Sequence, residues 1–263
     1  MRKTESSAEL RGEINKILAK SSSVCTNFFL SADETEEAAA KGELYTHLTE
    51  HGILILRLRN THCRTYFYLT DPDTAVPCPL EMPAVLEIPY RERDLTAKSA
   101  VSAFERAGFS SLFGRIRMTR RGEQMSGAET VRPAGKADSD RIREIFSECF
   151  HPIAGCIPDE SELIREIDCG HILTDETVSG LLHFTESRTG SELRHLAVTE
   201  SKRNRGIGGA LVRAYLSRYG EKKSTVWVRE DNAPAIRTYE KYGYKADGMK
   251  SAVLICENNT ESK

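Results

Sequence analysis

The sequence of 263 residues predicts an α/β protein with a mixed sheet, built from two units in tandem, the second complete and the first truncated. Strand-like and helix-like patterns alternate through residues 131–257, as expected of one complete α/β unit. A similar order of patterns occupies residues 1–121. The two parts also share a short segment, because FERAGF at 104–109 matches YEKYGY at 239–244.

In the first unit, the spacing of Leu10, Ile14 and Leu18 predicts a helix over 7–19, and a short acidic helix follows at 33–41. The hydrophobic period then changes to two, which predicts strands at 43–48, 53–59, 64–70, 84–89 and 111–119. A proline-rich stretch at 71–82 predicts a loop between the third and fourth of these strands. An apolar stripe that ends at Gly108 predicts a helix over 97–107.

Residues 122–130 carry two glycines and no apolar period, so they are the predicted linker, and residues 258–263 are a predicted tail. In the second unit, residues 131–257, the patterns predict strands at 131–133, 171–174, 180–185, 193–198, 224–228 and 252–256. Helices are predicted at 138–150, 158–168, 206–218 and 233–242.

Composition narrows the class of protein. With 39% hydrophobic and 29% charged residues, the chain is neither disordered nor of low complexity. A net charge of −2, with no strongly basic or acidic half, disfavours a nucleic-acid partner. The sequence has no long apolar run and no signal-peptide pattern, so we expect a cytoplasmic protein without a membrane partner. Its seven cysteines never occur as CxxC, which favours reduced thiols over a zinc site, and we expect no metal.

The segment 193–212, LRHLAVTESKRNRGIGGALV, carries the clearest chemical signal. A strand ends at Val198, and a turn then leads into an apolar-striped helix. That turn contains three glycines and three basic residues, Gly206, Gly208, Gly209, Lys202, Arg203 and Arg205. Glycines let a backbone approach a ligand closely, and free N–H groups at a helix start attract anions. The pattern predicts a pyrophosphate site; the alternative is a glycine turn that only packs tightly.

Two well-known phosphate loops are excluded, because no Gly-Lys-Ser/Thr follows the turn and no acidic partner strand completes a dinucleotide fingerprint. A second strand at 225–228, then Asn232, then a helix reading AIRTYEKYGY follow instead. This order, from VRPAGKADSDRIREIF to the final YEKYGY, resembles the GNAT superfamily of general N-acetyltransferases over residues 129–257.

The resemblance implies that the strands at 193–198 and 225–228 splay apart and hold acetyl-CoA between them. It implies cofactor contacts along the first strand, in the turn and at the start of the last helix, from Leu196, Ala197, Val198, Arg203, Asn204, Arg205, Gly206, Ile207, Gly208, Gly209, Ala210 and Asn232. The implied reaction is direct attack of an amine on the acetyl thioester in a ternary complex.

Tyr239 matches the family position that commonly protonates the leaving thiolate, although a tyrosine buried for packing is the alternative. The general base is open among Glu192, His195, His183 and a water relay. Because side chains alternate along a strand, we expect Glu192 and His195 to face opposite ways. A backbone N–H near Ala197 is expected to polarise the thioester oxygen.

The first unit resembles a degenerate copy of the second. Between Thr70 and Ala84 it has no room for a glycine turn and a helix, and Phe104 replaces the tyrosine. We expect this unit to be inactive and to shape the acceptor site or cover a sheet edge, with Arg115 and Arg117 facing either an acidic substrate group or solvent.

Two other functions stay open: a non-catalytic acyl-CoA sensor or interaction module on the same fold, and transfer of a different acyl group. The acceptor is expected to be a small-molecule or peptide amine. The sequence selects neither a particular amine nor an oligomeric state.

Overall fold

A computed structural model describes residues 1–21, 23–122, 124–127 and 130–257. The chain divides into two compact units, one formed by residues 1–114 together with the chain from Met249 onward, the other by Arg115–Gly248. The described residues of the predicted linker 122–130 lie in no helix or strand, and Glu123, Ala128 and Glu129 lie outside the description. The predicted tail at 258–263 also lies outside the described residues. None of the described helices is long and apolar enough to cross a membrane.

The first unit contains three helices, α1 (Ser7–Leu18), α2 (Ala32–Ala40) and α3 (Leu95–Arg106). Its strands are β1 (Arg2–Lys3), β2 (Cys25–Thr26), β3 (Leu44–Thr49), β4 (Gly52–Leu58), β5 (Cys63–Leu69) and β6 (Ala84–Arg91). The sheet runs in the order β1, β3, β4, β5, β6, and β2 pairs with β5. Every helix and strand predicted here is confirmed; β1 and β2 were not predicted, because two residues are too few to show alternation.

The second unit contains α4 (Ser139–Cys149), α5 (Glu160–Asp168), α6 (Ile207–Tyr219) and α7 (Ala233–Lys241). The remaining strands are β7 (Ser110–Arg120), β8 (Val131–Pro133), β9 (Ile172–Asp175), β10 (Gly180–Glu186), β11 (Gly190–Val198), β12 (Lys223–Arg229) and β13 (Lys245–Cys256). From the Arg115–Arg120 part of β7, this unit's sheet continues through β12, β11, β10 and β9 to β8.

Each unit takes its last strand from the other half of the sequence. Residues 115–120 of β7 pair with β12 in the second unit, for example Thr119 with Thr225. Residues 249–256 of β13 pair with β6 in the first unit, for example Val253 with Glu87. The compact units therefore differ from the sequence ranges 1–121 and 131–257, because alternation predicts a strand without identifying the neighbour to which it hydrogen-bonds.

Two apolar clusters lie on opposite faces of the second unit's sheet. On one face, Phe184 and Leu193 pack with α6 residues such as Leu211. On the other face, Leu181 and Ala197 pack with α4 and α5. Full burial of one such leucine or phenylalanine contributes about 1.5–3 kcal/mol, so the two clusters fix the position of β11 from both sides.

Candidate active site

The strands β11 and β12 diverge along their length. They pair in parallel only from Gly190 with Lys223 to Leu193 with Val226, although β11 continues to Val198. Beyond Leu193, β11 pairs with β10 on one side and with no described strand on the other. The splay that the family resemblance predicts is therefore present, and one backbone edge of residues 194–198 faces the opening.

Helix α6 begins beside this opening with an uncapped first turn. Gly206 is the N-cap residue, with a left-handed φ of 83°, and no side chain caps the helix. The N–H of Ala210 donates to the Gly206 carbonyl at 2.9 Å, whereas the N–H groups of Ile207, Gly208 and Gly209 donate to no described backbone carbonyl. Three orphan donors at the positive end of a helix dipole form a binding site for an anionic group.

The three glycines of the turn serve different purposes. Gly206 needs the left-handed conformation, which side chains other than glycine adopt with strain. A Cβ at Gly209 would lie 2.8 Å from the Tyr242 hydroxyl oxygen, so this glycine allows tight packing. A Cβ at Gly208 would meet only Val198 Cγ2, at 3.7 Å. Packing therefore explains Gly209, while Gly208 leaves open space where the resemblance predicts the pyrophosphate.

The polar residues before α6 are exposed. Arg203 donates from Nε to the Val198 carbonyl at 3.2 Å, so its side chain folds back against the end of β11. The backbone N–H of Arg203 donates to the Glu200 carbonyl and is therefore engaged, unlike those of the helix start. Asn204 adopts a left-handed φ of 61°, and Arg205 is exposed next to it.

The remaining predicted cofactor residues lie at the end of β11 and at the start of α7. Leu196 and Val198 alternate with Ala197, which is buried against the α4 and α5 face. Asn232 caps α7, where its Oδ1 accepts from the Ala235 N–H at 3.2 Å. Helix capping thus explains the asparagine, and its amide nitrogen makes no hydrogen bond to a described residue.

Tyr239 is buried in the same cluster as α6, and its ring centroid lies 5.6 Å from that of Tyr244. The hydroxyl of Tyr244 pairs with Ser224 Oγ at 2.6 Å, whereas that of Tyr239 makes no hydrogen bond to any described residue. No fully buried polar side-chain atom among the described residues lacks a partner, so the Tyr239 hydroxyl must retain contact with solvent. Burial raises the pKa of Tyr239 above its ordinary value, which keeps this hydroxyl protonated at neutral pH.

The expectation that Glu192 and His195 face opposite ways is wrong. The register of β10 and β11 shifts, so that His183 pairs with His195 but Phe184 pairs with Leu193. One extra residue in β11 at this bulge interrupts the alternation. Leu193 faces α6 while His195 faces α4, and Glu192, adjacent to Leu193, therefore shares a face with His195.

Both ring nitrogens of His195 have partners. Its Nε2 lies 2.8 Å from the Gly155 carbonyl oxygen, and its Nδ1 lies 3.0 Å from His183 Nδ1. Nε2 of His183 lies 3.4 Å from Glu166 Oε2, which also pairs with His171 Nδ1 at 2.8 Å. In this arrangement His195 has no nitrogen left to accept a proton from a substrate.

This network has an unusual proton requirement. A carbonyl and a carboxylate accept only, so both outer contacts take an N–H from a histidine Nε2. The central contact then joins two Nδ1 atoms, and one of them must carry a hydrogen. The two rings together therefore need three N–H hydrogens, one more than two neutral imidazoles carry. Burial lowers the pKa of both histidines. Burial also raises the pKa of Glu166, but the hydrogen bonds from His183 and His171 outweigh it and hold that pKa at about 2.

Sequence reasoning missed Glu166, because nothing in the spacing along α5 indicates that it meets two histidines from separate strands. Glu192, in contrast, is half-buried and borders a cleft of about 280 Å³ with Thr225, its neighbour on β12. It immediately precedes Leu193, the last β11 residue that pairs with β12. Of the candidate bases, Glu192 is the one placed at an open surface where the strands begin to diverge.

Arg115 and Arg117 both contact other residues of the second unit. Arg117 forms an ion pair with Asp247 at 2.7 Å and lies over the Trp227 ring, 5.7 Å from its centroid. Arg115 donates from Nη2 to the Ala154 carbonyl at 3.0 Å. The charge of Arg117 is thus already balanced within the protein.

Residues 139–244 match the profile of the Acetyltransferase (GNAT) family. This part of the chain is a GNAT domain. A search of curated proteins by sequence found no match. The splayed strands, the uncapped α6 and Tyr239 all lie within the GNAT domain or border it.

Solved structures with the same fold cover most of the chain. A candidate acetyltransferase from Pyrococcus horikoshii matches at a TM-score of 0.59 and 10% identity, covering 100% of this chain and 90% of that one. A GCN5-related N-acetyltransferase from Sphaerobacter thermophilus matches at 0.54 and 15% identity, over 87% and 86%. A tandem GNAT protein from the clavulanic acid biosynthesis pathway matches at 0.51 and 10% identity, over 81% and 80%. At such identities the likeness establishes the fold.

The first unit contains a similar splay that its own chain fills. Strands β5 and β6 pair in parallel only at Cys63 with Ala84 and at the following residue, then diverge. Asn27 lies between them: its Nδ2 donates to the carbonyls of Thr65 and Glu87 at 3.2 and 3.1 Å. Its Oδ1 accepts from a β5 backbone N–H at 2.8 Å. These bonds satisfy the strand edges that the GNAT domain leaves open.

Proposed function

We propose that the GNAT domain is an N-acetyltransferase that transfers the acetyl group of acetyl-CoA to an amine by direct attack in a ternary complex. Family and fold support acyl transfer in general. The single observation that carries the proposal is the uncapped start of α6 beside the diverging strands, because one opening thereby offers anion donors and a free strand edge together. Coenzyme A matches both features, because it carries a pyrophosphate and a pantetheine arm with amide groups.

In the proposed complex, the N–H groups of Ile207, Gly208 and Gly209 bind the pyrophosphate. The backbone edge of 194–198 pairs with the amide groups of the pantetheine arm, and the Asn232 amide nitrogen is a further donor on the opposite side. The thioester then lies toward the closed end of the splay, near Leu193. Binding here is mostly through backbone groups, which explains why the side chains of the turn are small or exposed.

Glu192 is the proposed base, since an amine with a pKa near 10 is mostly protonated at neutral pH and must lose a proton before it attacks. The amine nitrogen bonds to the thioester carbon, and the bond from that carbon to sulfur breaks. Tyr239 gives its hydroxyl proton to the departing thiolate and regains one from solvent. Glu192 passes the first nitrogen proton to solvent and takes the second as the carbon–sulfur bond breaks. The products are an amide and the free thiol of coenzyme A, and one proton is released to solvent in net.

The Tyr239 hydroxyl, unlike that of Tyr244, makes no hydrogen bond to a described residue, so it can donate its proton to the departing thiolate, which favours an enzyme over a non-catalytic acyl-CoA sensor. We further propose that only the GNAT domain binds acyl-CoA, since Asn27 fills the equivalent opening of the first unit. The acceptor is proposed to be a small-molecule or peptide amine. The setting is proposed to be the cytoplasm, in keeping with seven free cysteines.

Calorimetry with Gly208→Asp tests the site. A Cβ at Gly208 meets only Val198, so the aspartate is tolerated, and a carboxylate in the first turn favours the helix. We expect the variant to be at least as stable as the parent yet to bind acetyl-CoA at least about 100-fold more weakly, by charge repulsion at the anion site. Gly12→Asp, which adds the same carboxylate to open space beside α1, is the matched control and should bind normally.

Release of free thiol from acetyl-CoA over a panel of amines tests the reaction, with the acetylated product identified by mass spectrometry. Binding of one acetyl-CoA per chain together with amine-dependent release would support the proposal. Normal binding by Gly208→Asp would refute the site. Tight binding without thiol release for any amine would favour the sensor.

A further inference from the structure

Helix α6 is joined to both diverging strands through one tyrosine. The hydroxyl of Tyr215 lies 2.5 Å from Ser191 Oγ of β11 and 2.8 Å from Ser224 Oγ of β12. These two serines are paired in the parallel register, shortly before Leu193 and Val226, the last pair of that ladder. The Tyr215 hydroxyl therefore bridges β11 and β12 at the closed end of the splay.

These hydroxyl groups belong to a buried chain. Tyr215 and Ser224 are fully buried, Ser191 is 6% exposed, and Ser224 Oγ also lies 2.6 Å from the buried Tyr244 hydroxyl. Each hydroxyl carries one hydrogen, which is enough to supply every contact when all the hydroxyls point the same way along the chain. The apolar contacts between α6 and the sheet are non-directional, whereas hydrogen bonds require a particular geometry. The chain therefore restricts the rotation and the axial position of α6 more closely than apolar packing does.

The position of α6 relative to β11 matters because the proposed coenzyme site uses both elements. The anion donors are N–H groups in the first turn of α6, which begins at Ile207, and the free strand edge is residues 194–198 of β11. The turn at 199–206 joins the two elements at one end. The helix rises about 12 Å from Ile207 to Tyr215, where the hydroxyl attaches it to β11 a second time. Two attachment points fix the direction of the helix, which a single turn does not.

We propose that Tyr215 is a positioning residue for coenzyme binding; the proposal rests on the coenzyme site of the proposed function. Its hydroxyl sets the spacing between the anion site on α6 and the strand edge on β11, so that a pyrophosphate and the pantetheine arm attached to it bind at the same time. A ligand that bridges two sites gains affinity only when both of its parts can engage together. A shift of α6 therefore weakens binding of the whole coenzyme, while the anion site still binds the pyrophosphate part.

Calorimetry with two ligands separates positioning from stability. Acetyl-CoA spans both parts of the site, whereas 3′-phosphoadenosine 5′-diphosphate carries the pyrophosphate without the pantetheine arm. Tyr215→Phe keeps the buried ring and loses both hydroxyl contacts. We expect its affinity for the nucleotide to stay within about twofold of the parent and its affinity for acetyl-CoA to fall at least about tenfold. A purely structural defect lowers the amount of folded protein and leaves the ratio of the two affinities unchanged.

Two further variants identify the contact that is responsible. Tyr244→Phe also removes a buried hydroxyl that contacts Ser224, but it leaves the bridge between the strands intact. It is the matched control, and its ratio of the two affinities should equal that of the parent. Ser191→Ala keeps the Tyr215 hydroxyl and removes its contact with β11. The ratio should fall here too, and this variant decides the question if Tyr215→Phe does not fold.

Four results would overturn the proposal. They are an unchanged ratio in Tyr215→Phe or Ser191→Ala, an equal loss of affinity for both ligands, the same fall in Tyr244→Phe, and a parent that binds acetyl-CoA no more tightly than the nucleotide. No part of this test needs turnover, so thiol release decides the proposed reaction separately. A chain that binds acetyl-CoA and releases no thiol would refute the reaction and not the role of Tyr215.

Discussion

Two neighbouring tyrosines of the GNAT domain should respond in opposite ways to loss of a hydroxyl group. Tyr239 and Tyr244 are both buried, with ring centroids 5.6 Å apart. The Tyr244 hydroxyl bonds to Ser224 Oγ, which also bonds to the Tyr215 hydroxyl at 2.8 Å. The Tyr239 hydroxyl has no partner among the described residues. The phenylalanine variants therefore separate a structural tyrosine from a catalytic one.

The magnitudes follow from these contacts. Tyr244→Phe removes one buried hydrogen bond and leaves Ser224 with one partner fewer, which should cost about 1–3 kcal/mol of unfolding free energy. Tyr239→Phe removes no internal hydrogen bond, so the change should stay within about 0.5 kcal/mol. Loss of a general acid should lower kcat about 10²–10⁴-fold, a barrier increase of about 3–5 kcal/mol. Binding of acetyl-CoA should be unchanged in both variants.

For both variants, urea denaturation measures the free energy of unfolding, calorimetry measures acetyl-CoA binding, and thiol-release kinetics measure kcat. Because the pKa of Tyr239 is raised, its hydroxyl stays protonated to high pH, and parent kcat should not fall through ionisation of this group below about pH 10. A normal kcat for Tyr239→Phe would refute the acid assignment. A large stability loss in that variant would show that the hydroxyl has a structural partner after all.

The remaining predictions concern the base, the buried histidine network and the filled splay. Glu192→Gln should lower kcat about 10²-fold or more without weakening acetyl-CoA binding, and an unchanged rate in the same thiol-release assay would leave a water relay as the base. Glu166 has a pKa near 2 against an ordinary 4.5, so it stabilises the fold by about 3 kcal/mol above pH 4.5, and this contribution is lost as the pH falls toward 2. In urea denaturation, Glu166→Gln should be about 3 kcal/mol less stable than the parent at pH 7, and the difference in unfolding free energy should shrink as the pH falls toward 2. As the control, Asp168→Asn, which changes an exposed ion-pair residue on the same helix, should change stability by less than about 0.5 kcal/mol. Asn27→Ala should lower the free energy of unfolding by at least about 2 kcal/mol in the same assay, because it leaves three buried backbone groups without a hydrogen-bond partner. Calorimetry should still find one acetyl-CoA bound per chain, and a second bound molecule would contradict the proposed role of the first unit.

Local patterns were sufficient to predict most elements. The apolar stripe of α6 and the strand-forming residues of β4 and β5 each extend over seven or more residues, and the structure confirms the helix and both strands. The first six residues of β4 are all buried, so this strand does not alternate between a buried and an exposed face. Strand β13 begins at Lys245, seven residues before the predicted start, because KADGMKS has no alternation from which a strand could be predicted. Its last three residues, Met249–Ser251, are held in the strand by pairing with β6. Short or polar strands depend on neighbours that lie far away in the sequence.

Local patterns likewise predict only part of the candidate site. The glycine turn before α6 is a local feature, so the sequence was enough to predict the anion site. The face of Glu192 was mispredicted because a single extra residue in β11 arises from the register with β10. Glu166, similarly, meets His171 and His183 only when α5 packs on the sheet. No spacing rule along one helix can anticipate that contact.

By itself, the sequence determined the alternation of strands and helices, the resemblance of its second half to the GNAT family and the position of the glycine turn. Each depends on residues close together in the chain. Tertiary structure alone decided which strand completes each sheet, where β11 bulges, and that Asn27 fills the first unit's splay. These depend on hydrogen bonds between backbone groups distant in sequence, and backbone groups are the same in every residue except proline, so side-chain patterns do not encode their partners.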